Sequence, residues 1–251
     1  MTQIFADLSS MQDSMLTICG EDYNHIKNVL RMHPGEKLTV RGTDGSGEEY
    51  VFEIVSFSDN QVNCRLLSVK ESEVELPVRV MLFQGLPKAD KMDFIVQKTV
   101  EMGITEIVPV EMHRSIVKLA GEKRRKRVER WQSIAEAAAK QSRRAIIPQV
   151  HEIMTYKEAL QYASSAADLV LVPYETMAEQ NQSGTRALLE ELKPGQTAAV
   201  FVGPEGGFEE SEVDAAIGGG AKTISLGRRI LRTETAAMAF LAFLIYRFEL
   251  D

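Results

Sequence analysis

Between residues 37 and 67 apolar side chains alternate, or nearly alternate, with polar ones in three short runs: 37–41 (KLTVR), 49–55 (EYVFEIV) and 61–67 (QVNCRLL). A two-residue period belongs to strands with one face buried. Turn-forming clusters separate the runs, namely Pro34-Gly35, 42–47 (GTDGSG) and 58–60 (SDN), so the chain reverses between them. A single helix-like piece, 22–31, precedes them. The pattern predicts a small β-barrel over residues 1–72, of a kind that often binds RNA. The polar stretch 70–75 (KESEVE) reads as a linker.

Beyond Pro77 the period changes. Apolar runs at 78–84, 106–110, 169–172, 198–202 and 223–226 predict strands, and longer amphipathic patterns at 90–102, 122–141, 156–162 and 185–192 predict helices between them. Alternation of this kind implies an α/β domain, a parallel sheet with helices on both faces, here over residues 73–251. Ligands of such sheets sit beyond the carboxyl ends of the strands. The last helical stretch, 236–246 (AAMAFLAFLIY), is apolar on nearly every side. It is expected to be buried in the core or in a subunit interface.

Composition narrows the class. No stretch approaches the roughly 20 apolar residues of a membrane span, and the first residues, MTQIFADLSSMQDSM, do not read as a secretory signal. Cys19 and Cys64 lie far apart, with neither a disulfide framework nor metal-ligand spacing. A cytoplasmic protein without a metal is the expectation. The net charge of −7 hides an asymmetry: residues 114–144 hold eleven Lys or Arg against three Glu, a local +8 that leaves −15 for the remainder. Such a run marks either a polyanion-binding face or a solvated helix surface.

Two stretches carry chemistry. The first, 202–208 (VGPEGGF), is a glycine-rich turn between a strand and a helix that begins near Glu209. Bare backbone there admits a ligand closely, yet Pro204 offers no N–H and Glu205 would repel phosphate. The second, 226–236 (LGRRILRTETA), places Ile230 and Leu231 in a loop among Arg228, Arg229 and Arg232, ahead of a helix whose expected cap is Thr233. These aliphatics either cover the core or form an apolar slot for a flat ring. Neither stretch is a dinucleotide or triphosphate motif. A ligand with an adenine ring, a cationic centre and no phosphate fits, and S-adenosylmethionine is of that kind.

As a pair, VGPEGGF and LGRRILRTETA resemble the signature of the bacterial 16S ribosomal RNA uridine-N3 methyltransferases (ribosomal RNA small subunit methyltransferase E), a family of the knotted SPOUT class. The resemblance extends over nearly the whole chain: 25–31 (HIKNVLR) with Pro34-Gly35 is similar to the family's PUA-like N-terminal barrel, and 97–103 (QKTVEMG), 113–115 (HRS), 130–132 (RWQ) and 135–141 (AEAAAKQ) to its middle segments. It implies a C-terminal trefoil-knotted parallel sheet, a homodimer with the last helix near the interface, and methylation of N3 of one uridine in 16S ribosomal RNA of the small subunit. It also implies a cofactor pocket for S-adenosylmethionine formed by Pro173, Val202, Gly203, Pro204, Glu205, Gly206, Gly207, Leu226, Gly227, Arg229, Ile230, Leu231 and Thr235. One departure is Gln3, which precedes Ile4-Phe5 where the family usually carries an arginine. Another ribosomal or transfer RNA nucleotide as target, or a non-catalytic RNA-binding assembly factor, are the alternatives.

Phosphate contacts are expected from His25, Lys27, Arg31, Arg114, Arg124, Arg125, Arg143 and Arg144. Methyl transfer from a sulfonium to a ring nitrogen is an in-line displacement that depends on positioning, and the N3 anion is the better nucleophile. A guanidinium beside it favours that anion. Arg232 is the candidate, with an ion pair to Glu205 or Glu234 as its structural alternative. Glu234 is either a base or a charge at a helix N-terminus.

Overall fold

The computed structural model describes residues 3–117, 119–174 and 182–250. Lys118, part of the basic run, lies outside the described residues. The chain divides into two units, residues 1–75 with 139–147, and residues 76–138 with 148–251.

The first unit is a five-stranded sheet in the order β1-β3-β4-β5-β2: β1 (Gln3–Ala6), β2 (Met15–Cys19), β3 (Lys37–Gly42), β4 (Glu49–Ser58) and β5 (Gln61–Lys70). Its pairs are antiparallel except β1 with β3. The alternation seen in the sequence turns Leu38, Val40, Phe52, Ile54, Val62 and Cys64 onto one core. Asp59 and Asn60 both take positive φ in the β4–β5 turn, the conformation that joins twisted strands tightly. The expected helix is α1 (Gly20–Asn24), continued by a π-helical turn over His25–Val29. Strands β1 and β2 escape a periodicity reading because four and five residues hold only a couple of buried apolar side chains each.

The second unit is a seven-stranded parallel sheet in the order β12-β10-β11-β6-β7-β8, with β9 also on β7. Its strands are β6 (Arg79–Gly85), β7 (Glu106–Glu111), β8 (Gln149–Val150), β9 (Met154–Thr155), β10 (Leu169–Pro173), β11 (Thr197–Val202) and β12 (Lys222–Ile224). Helices connect them: α2 (Lys91–Glu101), α3 (Gly121–Ser142), α4 (Tyr156–Ala166), α5 (Gln182–Glu191), α6 (Glu210–Gly218) and α7 (Thr233–Ile245). The central strands are buried on both faces, which is why they read as unbroken apolar runs. Phe83 of β6 stacks on Phe201 of β11 with ring centroids 4.5 Å apart.

One local expectation changes. The N-cap of α7 is Arg232, without a side-chain cap bond, and Thr233 is the first helical residue. Its hydroxyl is used elsewhere, on Gly203. Within the single chain α7 buries one side, Ala237, Phe240, Leu241 and Leu244, while Phe243 and, beyond the helix, Tyr246 and Leu250 are exposed. No helix among the described residues is long and apolar enough to cross a membrane, and no three His, Cys, Asp or Glu side chains there are grouped to hold a metal ion.

Candidate functional site

Register brings the carboxyl ends of the strands together: Val202 of β11 pairs with Gln84 of β6, and Pro173 of β10 with Ile224 of β12. A cavity of about 1070 Å³ opens there. Pro173, the stretch 202–207, Leu226, Gly227 and 229–231 all line it. Of the residues expected at a cofactor, Thr235 alone does not; Thr233 and Ala236 of the same helix do.

The loop 203–208 is fixed at nearly every residue. The Gly203 carbonyl accepts from the Thr233 hydroxyl at 2.7 Å, and the Gly207 N–H closes a turn onto the Pro204 carbonyl at 2.9 Å. Gly207 has φ +69°, where a side chain would be strained. Pro204 lies so close to β6 that a Cβ on Gly85 would sit 2.6 Å from its Cδ and 2.8 Å from its nitrogen. Glu205 accepts the Lys88 N–H at 3.1 Å and pairs with the Lys91 ammonium at 2.8 Å. Burial pushes its carboxyl up, but the Lys91 and Lys88 bonds outweigh burial and hold it below the ordinary value. Arg114 donates to the Gly206 carbonyl and to Glu209, both at 2.9 Å. Glu212 completes the frame, accepting from the backbone N–H groups of His113 and Glu209.

The facing loop, 225–232, is nearly free. Ser225 exchanges bonds with Thr185 and accepts the Gly227 N–H at 3.2 Å. Beyond Gly227, at φ +116°, Arg228, Arg229 and Arg232 are exposed, and Ile230 is 79% exposed. Ile230 therefore does not cover the core, and its aliphatic surface stands at the cavity beside half-buried Leu226 and Leu231. Among the described residues Arg232 makes no ion pair with Glu205 or Glu234. Lys91 holds Glu205 and lies 3.9 Å from Glu234 instead. The acid of the glycine loop is thus neutralised by a lysine that no local motif announces.

The residues expected on phosphate divide between the units. In the first, His25, Lys27, Arg31 and Arg143 are exposed, and Lys27 donates to the Tyr23 hydroxyl at 2.7 Å. Arg144 is a correction. Its side chain is 3% exposed and pairs with Glu75 at 2.6 Å, so it anchors the supposed linker and offers nothing to a phosphate. Gln3 adds to that anchor by donating to the Arg144 carbonyl. In the second unit Arg125 is exposed, with a 3.6 Å pair to Glu129. Arg124 is committed to Glu111 and the Ile153 carbonyl, and Arg114 to the glycine loop.

These residues can hold a ligand of cofactor size with an apolar ring. The geometry gives no phosphate cradle, since the glycine loop presents a proline and a paired carboxylate. Comparison with known proteins bears on the same residues. The RNA methyltransferase domain family matches residues 74–245, and the RNA methyltransferase PUA domain family matches residues 18–67. The chain is 36% identical to ribosomal RNA small subunit methyltransferase E of Bacillus subtilis, over 100% of this chain and 98% of that one. It is similar to the crystal structure of the Neisseria gonorrhoeae enzyme of that name bound to S-adenosylmethionine, with TM-score 0.82, 30% identity, and 99% and 98% of the two chains covered. A putative methyltransferase from Legionella pneumophila in complex with the same cofactor matches with TM-score 0.80 and 30% identity over 98% of this chain and 97% of that one.

Proposed function

This chain belongs to the RNA methyltransferase family, and from that premise we propose that it is an S-adenosylmethionine-dependent methyltransferase acting on N3 of one uridine in 16S ribosomal RNA. The observation that carries the reading is the cavity at the strand ends, where both glycine-containing loops meet. Its volume, the apolar surface of Ile230 and Leu226, and the lack of a phosphate cradle fit an adenosine joined to an amino acid. When bound, the cofactor supplies a methyl group on a positively charged sulfur.

The protein's own part is to position and to tune charge. Residues 203–207 hold the cofactor's place through bonds to Thr233, Lys88 and Arg114. Arg232, exposed at the cavity and uncommitted to any described carboxylate, favours the N3 anion of the incoming uracil, and the N-terminus of α7 adds to that field. Residues 1–75 with 139–147 form the RNA-binding part in this reading, and residues 76–138 with 148–251 the methyltransferase part. His25, Lys27, Arg31, Arg143 and Arg125 supply phosphate contacts in this reading. The apolar surface left by Phe243, Tyr246 and Leu250 supports a homodimer through the last helix. In this reading the protein works in the cytoplasm, on small-subunit RNA.

Mass-spectrometric mapping of methylated nucleotides in ribosomal RNA, from a strain lacking the gene and from the same strain with it restored, tests the activity. A single uridine that loses its N3 methyl and regains it is the expected result, and unchanged RNA rejects the proposal. For Arg232, Arg232→Ala should slow single-turnover methyl transfer about tenfold or more at saturating RNA and cofactor. Loss of cofactor affinity instead would make Arg232 a scaffold residue.

A further inference from the structure

The carboxamide of Gln84 ends the apolar run of β6 in a fully buried position, and its bonding is one-sided. Its Nε2 donates to the Gly85 carbonyl at 3.0 Å and to the Thr233 hydroxyl at 2.8 Å. Its Oε1 is enclosed and has no hydrogen-bond partner. An unpartnered buried amide oxygen is a cost to the fold, so this amide is kept for its donors. A threonine hydroxyl has one proton and two acceptor positions. With one acceptor position filled by Gln84, the Thr233 proton is directed to the Gly203 carbonyl, 2.7 Å away. The sequence of bonds runs one way, from Gln84 through Thr233 to Gly203. It joins residues 149 positions apart, then 30 apart.

We propose that Gln84 is a positioning residue for the cofactor loop, acting through the Thr233 hydroxyl on the Gly203 carbonyl. The inference rests on the reading of this cavity as the S-adenosylmethionine site. Gln84 itself does not line the cavity, whereas Thr233 and Gly203 do. Bonds in series polarise one another in a buried setting, so the Gly203 carbonyl is held more firmly than a lone hydroxyl would hold it. The carbonyl in turn fixes where the glycine loop leaves β11.

Calorimetry with S-adenosylmethionine on the wild-type chain, Gln84→Met, Thr233→Val and the double variant tests this, with thermal melts alongside. Each single change should weaken binding about tenfold, and the double should be no weaker than the worse single, because both break one series of bonds. Thr233→Ser, which keeps the hydroxyl, should bind like the wild type. Gln84→Met removes the orphaned oxygen but also the donor to the Gly85 carbonyl, so some loss of melting temperature is expected. A purely structural Gln84 would lower the melting temperature and leave cofactor affinity, measured well below the melt, unchanged. Additive losses, or wild-type affinity in Gln84→Met, overturn the inference while leaving the site intact. A wild-type chain that does not bind S-adenosylmethionine overturns the site and the inference together.

Should Gln84→Met fail to fold, Gln84→Glu decides. An ionised carboxylate there would accept the Thr233 proton and draw it away from Gly203, and its protonation would restore a donor. Burial raises such a carboxyl well above its usual range. Affinity relative to the wild type should therefore improve as pH falls from about 8 to about 5, and a ratio independent of pH counts against the proposal.

Discussion

At the start of β6 and β7, four polar side chains close on one another. Glu106 accepts from Arg79 at 2.6 Å and from Tyr162 at 2.8 Å, and its other contact is His151 at 2.8 Å. At the opposite end of the same strands the polar groups serve a cavity: Gln84 gives up a partner for its oxygen, Ile230 stands in solvent, and three arginines of one loop are exposed. One end satisfies itself and the other leaves capacity unused. Parallel sheets place ligands at their carboxyl ends, and the difference shows how: the loop side chains that line the cavity are left exposed where a ligand is to meet them. Changes at the amino end should therefore be read in stability, and changes at the carboxyl end in ligand binding.

The sharpest way to break that division is Gly85→Ala. The new methyl would meet the Pro204 ring and the Met112 sulfur at 2.6–2.8 Å, and the backbone has nowhere to retreat between β7 and β11. Cofactor affinity should fall at least about a hundredfold, with an overpacking penalty of about 1–3 kcal/mol. Calorimetry and melting together check it, and normal binding would sink the account of the loop. Gly206→Val spares the sheet. Its Cβ would lie 3.0 Å from the Arg114 side chain, so binding should be lost while the fold survives.

At the amino end the expected effect is on stability. The His151 bond does most to hold the Glu106 carboxyl down, burial opposes it, and Tyr162 and Arg79 help, leaving it at about 2. A carboxyl lowered in the folded state stabilises above its ordinary value, here 4.5, and that contribution drains away as pH falls from there toward about 2. Glu106→Gln should cost about 2 kcal/mol at neutral pH and flatten that acid dependence. Urea titrations between about pH 2 and pH 7 would show both, with the cofactor dissociation constant unchanged.

Smaller effects sharpen the comparison. Ile230→Ser should alter stability by less than about 0.5 kcal/mol, being exposed, but weaken cofactor binding severalfold by removing apolar surface from the cavity. Arg125→Ala should leave both readings alone. Its i,i+4 pair with Glu129 is exposed and worth under about 0.5 kcal/mol, whereas the salt dependence of RNA binding should drop by about 0.7–0.9 in slope if it contacts a phosphate. An unchanged slope would return Arg125 to the solvated surface.

The sequence showed the strand-and-helix order of the second unit because both faces of its strands are buried and the apolar runs are continuous. It showed both loops because glycines at strand ends are local. What it could not show is closure over distance. Lys91 reaches Glu205 across more than a hundred residues, and no spacing rule connects an ammonium on α2 with a carboxylate after β11. Glu75, read as part of a polar linker, proves to be the partner of Arg144, because exposure of a charge is settled by what packs over it. Gln84 did leave a signal, a lone amide in the apolar run MLFQG, and a polar residue in a strand buried on both faces must have a partner or a purpose.

The bond from Thr233 to Gly203 has a consequence for how the chain is made. Residues 225–233 supply one wall of the cavity and the tie on the other, so the growing polypeptide has no site while it still ends before them. Translation must pass that point, and α7 must dock beside α2, before any cofactor can be retained. Retention then stabilises only molecules that extend through α7. The ligand in this way distinguishes a chain that carries this helix from one released before it.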